Sequence, residues 1–225
     1  MRLLVFDFDG VILETEGPEL ACWQEIWREH GEELPVARYL ETVGSSSQRF
    51  DPYADLAGRV EARGAELPER AALRARRLAR THAILASVPP LPGVERCLAE
   101  ARALGVPVAV ASSSSRDWVE GHLARLGLRA AFEGVFCRDD VAAVKPEPDL
   151  YLAALRAFDV APGAALAFED SMNGVTAAKR AGLLCAAIPT EITRGLPLEH
   201  ADLRLSSLED ALPLADFLRS LVRGS

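Results

Sequence analysis

The sequence predicts an α/β fold, a doubly wound and mostly parallel sheet that carries an inserted all-helical cap domain. Short apolar runs alternate with segments of helical period along most of the chain, as in parallel sheets covered by helices on both faces. Between residues 14 and 86 that alternation stops and only helical patterns remain. The length of 225 residues fits a core of about 150 residues with a smaller insertion.

The strands of the core are predicted from their apolar runs. Four consecutive apolar residues at Leu3–Phe6 indicate a first strand that is buried on both faces. Similar runs predict strands at 106–111, 164–168 and 185–188, with weaker candidates at 134–137 and 203–206. Helical periods lie between them at 94–104, 116–126, 148–158 and 175–181. This order is typical of a doubly wound sheet.

The cap is predicted from two helical faces. Residues of the first recur at spacings of three, four and three, namely Leu20, Trp23, Trp27 and His30. The second face repeats the period with Ala71, Ala75, Leu78, His82 and Leu85. Residues 44–47 and the pair Asp51-Pro52 carry loop signals. We therefore expect a cap domain over 14–86, hinged near 14–17 and 86–92, and a core domain of 1–13 and 87–225.

Composition narrows the classes of partner. The net charge of −8 argues against nucleic acid or an anionic membrane as main partner, because both bind basic faces. No apolar run approaches the roughly 18 residues of a membrane span, and no signal peptide is visible. The four cysteines form no C-x-x-C pair, which favours buried thiols in a reducing compartment. We expect a cytoplasmic protein that is a monomer or weak homo-oligomer.

The first chemical motif is Asp7-Phe8-Asp9-Gly10-Val11, directly after the first strand. Side chains alternate along a strand, so Asp7 and Asp9 are predicted to point to the same side. Two carboxylates this close persist only if a cation neutralises one or a proton sits on the other. The alternative interpretation is a pair of solvated aspartates before a turn glycine.

The second motif is a run of serines at 112–115, at the end of the second strand. A hydroxyl and successive backbone N–H groups that open a helix make an anion-binding cradle. An ordinary serine N-cap is the alternative.

The third motif places Lys145 between acidic and proline residues, in Val144-Lys145-Pro146-Glu147-Pro148-Asp149. Lys145 and Lys179 are the only lysines of a chain in which lysine and arginine total 25. A compact ammonium beside an aspartate can stabilise the charge that develops on a phosphoryl group. A surface lysine in a turn is the alternative.

The fourth motif, Glu169-Asp170-Ser171-Met172-Asn173-Gly174, follows the strand predicted at 164–168. Two carboxylates at the end of a strand suit magnesium, which prefers oxygen ligands and keeps several waters. An acidic cap of the following helix is the alternative interpretation.

Together, the four ordered motifs resemble the haloacid dehalogenase superfamily, in its subgroup of β-phosphoglucomutase-like and phosphoglycolate-phosphatase-like proteins with a helical cap. The resemblance implies a Rossmann-like core and a magnesium-dependent phosphatase that hydrolyses a small phosphorylated metabolite through an aspartyl-phosphate. It implies that Asp7 is the nucleophile and Asp9 the general acid/base, and that Ser112 and Lys145 complete the catalytic set by holding the phosphoryl group. The substrate-binding residues implied are Gly10, Ser112, Ser113, Lys145 and, in the cap, Arg49. The implied magnesium ligands are Asp7, the Asp9 backbone carbonyl and Asp170, with Glu169 in support.

Other branches of the superfamily that this sequence resembles have different activities. Asp9 excludes the dehalogenase branch, which lacks an acidic residue there, and the absence of lysine from 14–86 excludes the phosphonatase branch. A sugar phosphate mutase stays open: its pattern has a cap arginine in a G-x-x-R loop, where this chain has Ser47, with Arg49 two residues further on. The mutase pattern also has a histidine where this chain has Glu19. A non-catalytic binding protein is a further alternative.

The arginine-rich segment of the second cap helix is the last candidate. Arg70, Arg74 and Arg77 share one face by their spacing. We expect this face to be the solvated outside of the cap; contact with an anionic substrate is the alternative.

Overall fold

A computed structural model describes residues 1–44 and 50–223, the last two by their backbone alone. Within these ranges the strands are β1 Leu3–Phe6, β2 Val108–Ala111, β3 Gly134–Phe136, β4 Ala165–Glu169, β5 Leu184–Ala187 and β6 Leu203–Arg204. They form one parallel sheet in the order β3-β2-β1-β4-β5-β6. The predicted doubly wound α/β sheet is confirmed, including its two weaker strands.

Nine helices are described in addition to short 3₁₀ turns. Those between β1 and β2 are α1 Glu16–Glu29, α2 Val36–Leu40, α3 Pro52–Glu61, α4 Arg70–Leu85 and α5 Val94–Ala103. The remaining helices are α6 Arg116–Arg125, α7 Asp149–Phe158, α8 Met172–Arg180 and α9 Leu214–Arg223. No helix in the described ranges is both long and apolar enough to cross a bilayer.

The alternation of side chains along β1 explains why this strand is apolar at every position. Leu4 and Phe6 belong to a hydrophobic cluster with residues of α5, α6 and α9 on one face of the sheet. Leu3 and Val5 belong to a second cluster with residues of α7 and α8 on the other face. Both faces of β1 are therefore buried, and the strand is held rigidly at the centre of the sheet.

The helices α1 to α4, here called the helical insertion, have a hydrophobic cluster of their own. Its fully buried members include Ile26, Trp27 and Leu56. The sequence patterns predict neither α2 nor α3, and for α3 the reason is that the pair Asp51-Pro52 is also a loop signal. In the structure Asp51 is the N-cap of α3 and accepts hydrogen bonds from Tyr53 N and Ala54 N at 3.0 and 3.2 Å. Pro52 occupies the first turn, where a missing N–H costs nothing.

Candidate active site

The four predicted motifs meet at the carboxyl edge of the sheet. Because β1 lies between β2 and β4, the residues that follow these three strands become neighbours. Asp7 follows β1, Ser112 follows β2, and Asp170 follows β4. Lys145 reaches the same edge from the segment before α7. Ligands of doubly wound proteins bind at this edge.

The ammonium of Lys145 bridges two carboxylates. Its Nζ lies 2.8 Å from Asp7 Oδ1 and 2.6 Å from Glu169 Oε1, and its side chain is fully buried. The hydroxyl of Tyr151 donates to the same oxygen of Glu169. Burial disfavours the charged ammonium, but Asp7 and Glu169 outweigh it and raise the pKa of Lys145. Lys145 therefore stays positively charged beside Asp7.

Asp7, Glu169 and Asp170 form a buried acidic cluster that fits a divalent cation. One carboxylate oxygen of each lies within 4.8 Å of the others. Both oxygens of Asp170 are buried, and no described residue donates a hydrogen bond to them. Burial, followed by the charge of Asp7, raises the pKa of Asp170. Burial, followed by the charge of Glu169, raises the pKa of Asp7, although Lys145 acts in the opposite direction. One ammonium leaves this cluster with excess negative charge, and its oxygen ligands suit Mg²⁺.

Two glycines allow the backbone to approach these carboxylates closely. Gly10 has a φ of +78°, and a Cβ at this position would lie 2.2 Å from Asp170 Oδ2. A Cβ on Gly174 would lie 1.8 Å from Glu169 Oε2. The substrate contact that the resemblance implies for Gly10 stays a prediction, and the structure adds the close approach of its backbone to Asp170. The glycine thus leaves room for the acidic cluster.

The carboxylate of Asp9 accepts hydrogen bonds from four side chains. Oδ1 accepts from Thr15 Oγ1 at 2.8 Å and from Trp118 Nε1 at 2.9 Å. Oδ2 accepts from Ser114 Oγ at 2.6 Å and from Ser112 Oγ at 3.4 Å. Only Ser112 of these donors was singled out in the sequence. Ser114 lies in the same serine run, but nothing local to the sequence relates Thr15 or Trp118 to Asp9.

An aromatic stack connects the helical insertion to this network. The ring of His82, on α4, lies 5.1 Å from Trp118 and 5.4 Å from His122, both on α6. The rings of Trp118 and His122 are 4.5 Å apart. Burial, followed by Arg125 and His82, lowers the pKa of His122. Both histidines pack between α4 and α6.

A cavity of about 540 Å³ lies between the sheet edge and the helical insertion. Asp7 and Asp9 are part of its lining, as are Arg70, Arg74 and Arg77 of α4. The expectation that these arginines form the solvated outer face of the cap is corrected in one respect: Arg70 and Arg74 are solvent-exposed, but the face that they share with Arg77 borders the cavity. The period of α4 puts them on one face, but that face turns toward the sheet edge. The cavity size is within the usual range of small-molecule sites.

The loop after α2 contacts the core beside the acidic cluster. Ser113 Oγ donates to Gly44 O at 3.1 Å, and Asn173 Nδ2 donates to Val43 O at 2.8 Å. Gly44 has a φ of +74°, and a Cβ there would lie 2.0 Å from Ser171 Oγ. Ser113, predicted to bind substrate, lines the cavity but directs its hydroxyl to this loop. These contacts close one side of the cavity.

The cap loop that distinguishes a mutase falls partly outside the described residues. Ser47 and Arg49, the two positions on which that comparison depended, lie in the undescribed range 45–49. Glu19, which stands where the mutase pattern has a histidine, is described. Its Oε2 lies 3.0 Å from Arg77 Nη1 within the cavity lining.

Fold and site together indicate a phosphomonoester hydrolase with a doubly wound α/β core: an aspartate beside a buried lysine, a second aspartate two residues on, and an acidic cluster under a helical insertion. Residues 1–182 match the family model described as haloacid dehalogenase-like hydrolase. The chain belongs to this family.

Named relatives cover nearly the whole chain. This chain is 42% identical over 212 residues to "Putative phosphatase YhcW" of Bacillus subtilis (strain 168), and the alignment covers 93% of each protein. It is 32% identical over 180 residues to fructose-1-phosphate phosphatase YqaB of Escherichia coli (strain K12), covering 80% of this chain and 92% of YqaB. A CbbY variant from Rhodobacter sphaeroides, solved with xylulose-(1,5)bisphosphate, has a TM-score of 0.76 and 30% identity, covering 94% and 96%.

Proposed function

We propose that this enzyme is a magnesium-dependent phosphatase that hydrolyses a small sugar phosphate through an aspartyl-phosphate on Asp7. The observation that carries the proposal is the asymmetric environment of the Asp7 carboxylate. Its Oδ1 binds Lys145 Nζ at 2.8 Å and accepts from Phe8 N at 2.7 Å. These two contacts anchor Oδ1, which makes Oδ2 the oxygen that we propose to attack phosphorus.

The acidic cluster and Lys145 reduce the repulsion between an anionic nucleophile and an anionic ester. Asp7, Glu169 and Asp170 would hold Mg²⁺, which when bound neutralises charge on the transferring phosphoryl group. Lys145 contributes a positive charge beside Asp7 that is part of the protein itself. The backbone carbonyl of Asp9 is a further magnesium ligand in this proposal.

Asp9 is the proposed general acid/base. In the first step it protonates the leaving oxygen of the sugar, and in the second it takes a proton from the attacking water. Its two oxygens are oriented by donors from three segments, at Thr15, Ser112 with Ser114, and Trp118. This orientation supports transfer of a proton along a fixed direction.

The substrate class is proposed from the relatives and the cavity together. YqaB carries the name of a fructose-1-phosphate phosphatase, and the CbbY variant was solved with a sugar bisphosphate. A cavity of about 540 Å³ accommodates such molecules. A sugar phosphate mutase is the second candidate, since the fold is shared with β-phosphoglucomutase-like proteins. The Glu19–Arg77 ion pair favours the phosphatase, because the mutase pattern has a histidine at that position.

The test is phosphate release from a panel of sugar phosphates that includes fructose 1-phosphate and β-glucose 1-phosphate. We expect release that requires magnesium and disappears with excess chelator. Asp7→Asn should abolish it, whereas Asp117→Asn, an exposed aspartate outside the cavity lining, should not. Full activity in chelator contradicts the metal requirement. Glucose 6-phosphate forming faster than free phosphate, with a trace of the 1,6-bisphosphate present, favours the mutase.

A further inference from the structure

The arginines of the cavity lining divide into two kinds. Arg77 Nη1 lies 3.0 Å from Glu19 Oε2, and Arg70 Nη1 lies 2.6 Å from Asp51 Oδ2. Each of these guanidinium groups also lies over an aromatic ring, Arg77 over Trp23 and Arg70 over Tyr53. Their positive charges are therefore matched by acidic partners, and their orientations are set by the rings beneath them.

Arg74 and Arg138 differ from this first pair. Both line the cavity, and both are exposed. Within residues 1–44 and 50–223, neither side chain forms an ion pair or hydrogen bond with the protein. An arginine that lines a cavity and has no acidic partner is available to an anionic ligand.

The two unmatched arginines come from different parts of the fold. Arg74 belongs to α4 of the helical insertion, and Arg138 belongs to the 3₁₀ turn after β3 of the core. The backbone N of Arg138 donates to Ser114 O at 3.1 Å. Because Ser114 Oγ binds Asp9, this turn is anchored next to the proposed acid/base. The two cations thus approach the cavity from the insertion and from the sheet edge.

The spacing along α4 separates Arg74 from the reacting centre. Arg70, Arg74 and Arg77 share one face, and three residues of helix correspond to about 4.5 Å of rise. His82, five residues beyond Arg77 on α4, packs against Trp118, which binds Asp9, so the C-terminal end of this helix is the one nearer the reacting centre. Arg74 lies nearly one turn further out along the same wall.

We propose that Arg74 and Arg138 form a distal anion subsite, and that the preferred substrate carries a second phosphate or a carboxylate a few bonds from the phosphate that is cleaved. The inference rests on the proposed function, because it assumes that the first phosphate binds at Asp7. Guanidinium groups bind both anions through paired N–H donors, so the two ligand chemistries share one explanation. A phosphate monoester without a second anion leaves both arginines without a ligand.

The test compares matched substrates that differ in the second anion. Fructose 1,6-bisphosphate is compared with fructose 1-phosphate, and 3-phosphoglycerate with glycerol 3-phosphate. We expect kcat/KM to be at least about tenfold higher for the member with the second anion, in one or both pairs. The first pair reports on a second phosphate and the other on a carboxylate. Equal values within both pairs overturn the inference but leave the proposed phosphatase standing.

Variants test which residues cause the preference. Arg74→Gln and Arg138→Gln should each reduce the ratio within a pair, and the double variant should bring it close to one. Arg102→Gln is the matched control, since Arg102 is an exposed arginine outside the cavity lining. It should keep the wild-type ratio. A ratio that stays at the wild-type value in the double variant overturns the assignment to these two arginines.

A binding measurement separates this inference from the proposed function. Calorimetry with Asp7→Asn measures affinity for fructose 1,6-bisphosphate and fructose 1-phosphate without turnover. Tighter binding of the bisphosphate, lost in a variant that also carries Arg74→Gln, supports the subsite. If at the same time no member of the panel is hydrolysed by the wild-type enzyme, the phosphatase proposal is refuted and the subsite stands. Equal affinities of the two ligands overturn the subsite whatever the activity.

Discussion

Trp118 donates its indole Nε1–H to Oδ1 of Asp9 across 2.9 Å, although the two residues are 109 positions apart. The same indole packs against His82 of the helical insertion, with ring centroids 5.1 Å apart. The orientation of the proposed acid/base is thereby tied to the position of α4. Movement of the helical insertion relative to the sheet edge would reach Asp9 through Trp118 and also through Thr15, which is the N-cap residue of α1.

Trp118→Phe should lower kcat by about tenfold with little change in KM, because one charge-assisted hydrogen bond to Asp9 is lost while an aromatic ring remains in the stack. Steady-state kinetics on the best substrate of the panel check this. Thermal unfolding should show a folded protein, so that the loss is one of orientation. A kcat within twofold of wild type would mean that Thr15, Ser112 and Ser114 are sufficient to orient Asp9.

Lys145→Arg should reduce kcat by about a hundredfold or more despite keeping the charge. The ammonium fits between Asp7 and Glu169 at 2.8 and 2.6 Å in a fully buried position, where a longer planar guanidinium has no room. Lys179→Arg is the matched control at the only other lysine, which pairs with Asp202 at the surface. Its activity should stay near wild type. Comparable losses in both variants would contradict a specific role for Lys145.

Gly10→Ala should destabilise the protein by about 2 kcal/mol or more and raise the magnesium concentration needed for half-maximal activity. The new Cβ combines a left-handed φ of +78° with an approach of 2.2 Å to Asp170 Oδ2. Gly127→Ala is the control, since Gly127 has a φ of +71° but no atom within 4 Å of a built Cβ. Denaturant unfolding measures the loss of stability in each variant, and titration of activity with magnesium measures the effect on the metal site. Equal destabilisation would mean that backbone conformation alone accounts for Gly10.

Glu29→Gln should lower the free energy of unfolding by about 0.5 kcal/mol at neutral pH. The carboxylate joins α1 to α4 through Arg80, with an N–O distance of 2.9 Å, and through Arg76. The hydrogen bond from Arg80, followed by the charge of Arg76, holds the pKa of Glu29 below its ordinary value of 4.5. The contribution is therefore present above pH 4.5 and lost as the pH falls through the lowered pKa.

Urea unfolding at several pH values checks this prediction, with Glu33→Gln as the control. Glu33 is exposed and forms no ion pair with a described residue. The difference between Glu29→Gln and wild type should shrink toward zero in acid, whereas Glu33→Gln should follow wild type throughout. A difference that does not vary with pH would contradict the ion-pair explanation.

Local sequence was sufficient for the strands and for the four motifs. A strand buried on both faces must be apolar at every position, so β1 is visible as Leu3–Phe6 without any knowledge of its neighbours. The ends of adjacent parallel strands must meet at one edge, which brings Asp7, Ser112 and Asp170 together once the fold class is known. The pair Asp51-Pro52 was misinterpreted, because a helix N-cap and a loop use the same residues.

Only the tertiary structure decided what surrounds those motifs. Helical period places Arg70, Arg74 and Arg77 on one face, but it carries no information about which neighbour that face meets. The face expected on the outside of the cap borders the cavity instead. The bond between Trp118 and Asp9 depends in the same way on how α6 packs beside β1. Periodicity depends only on the geometry of a single helix or strand. The surroundings of the site depend on how elements distant in sequence are placed relative to one another, and long-range packing determines that placement.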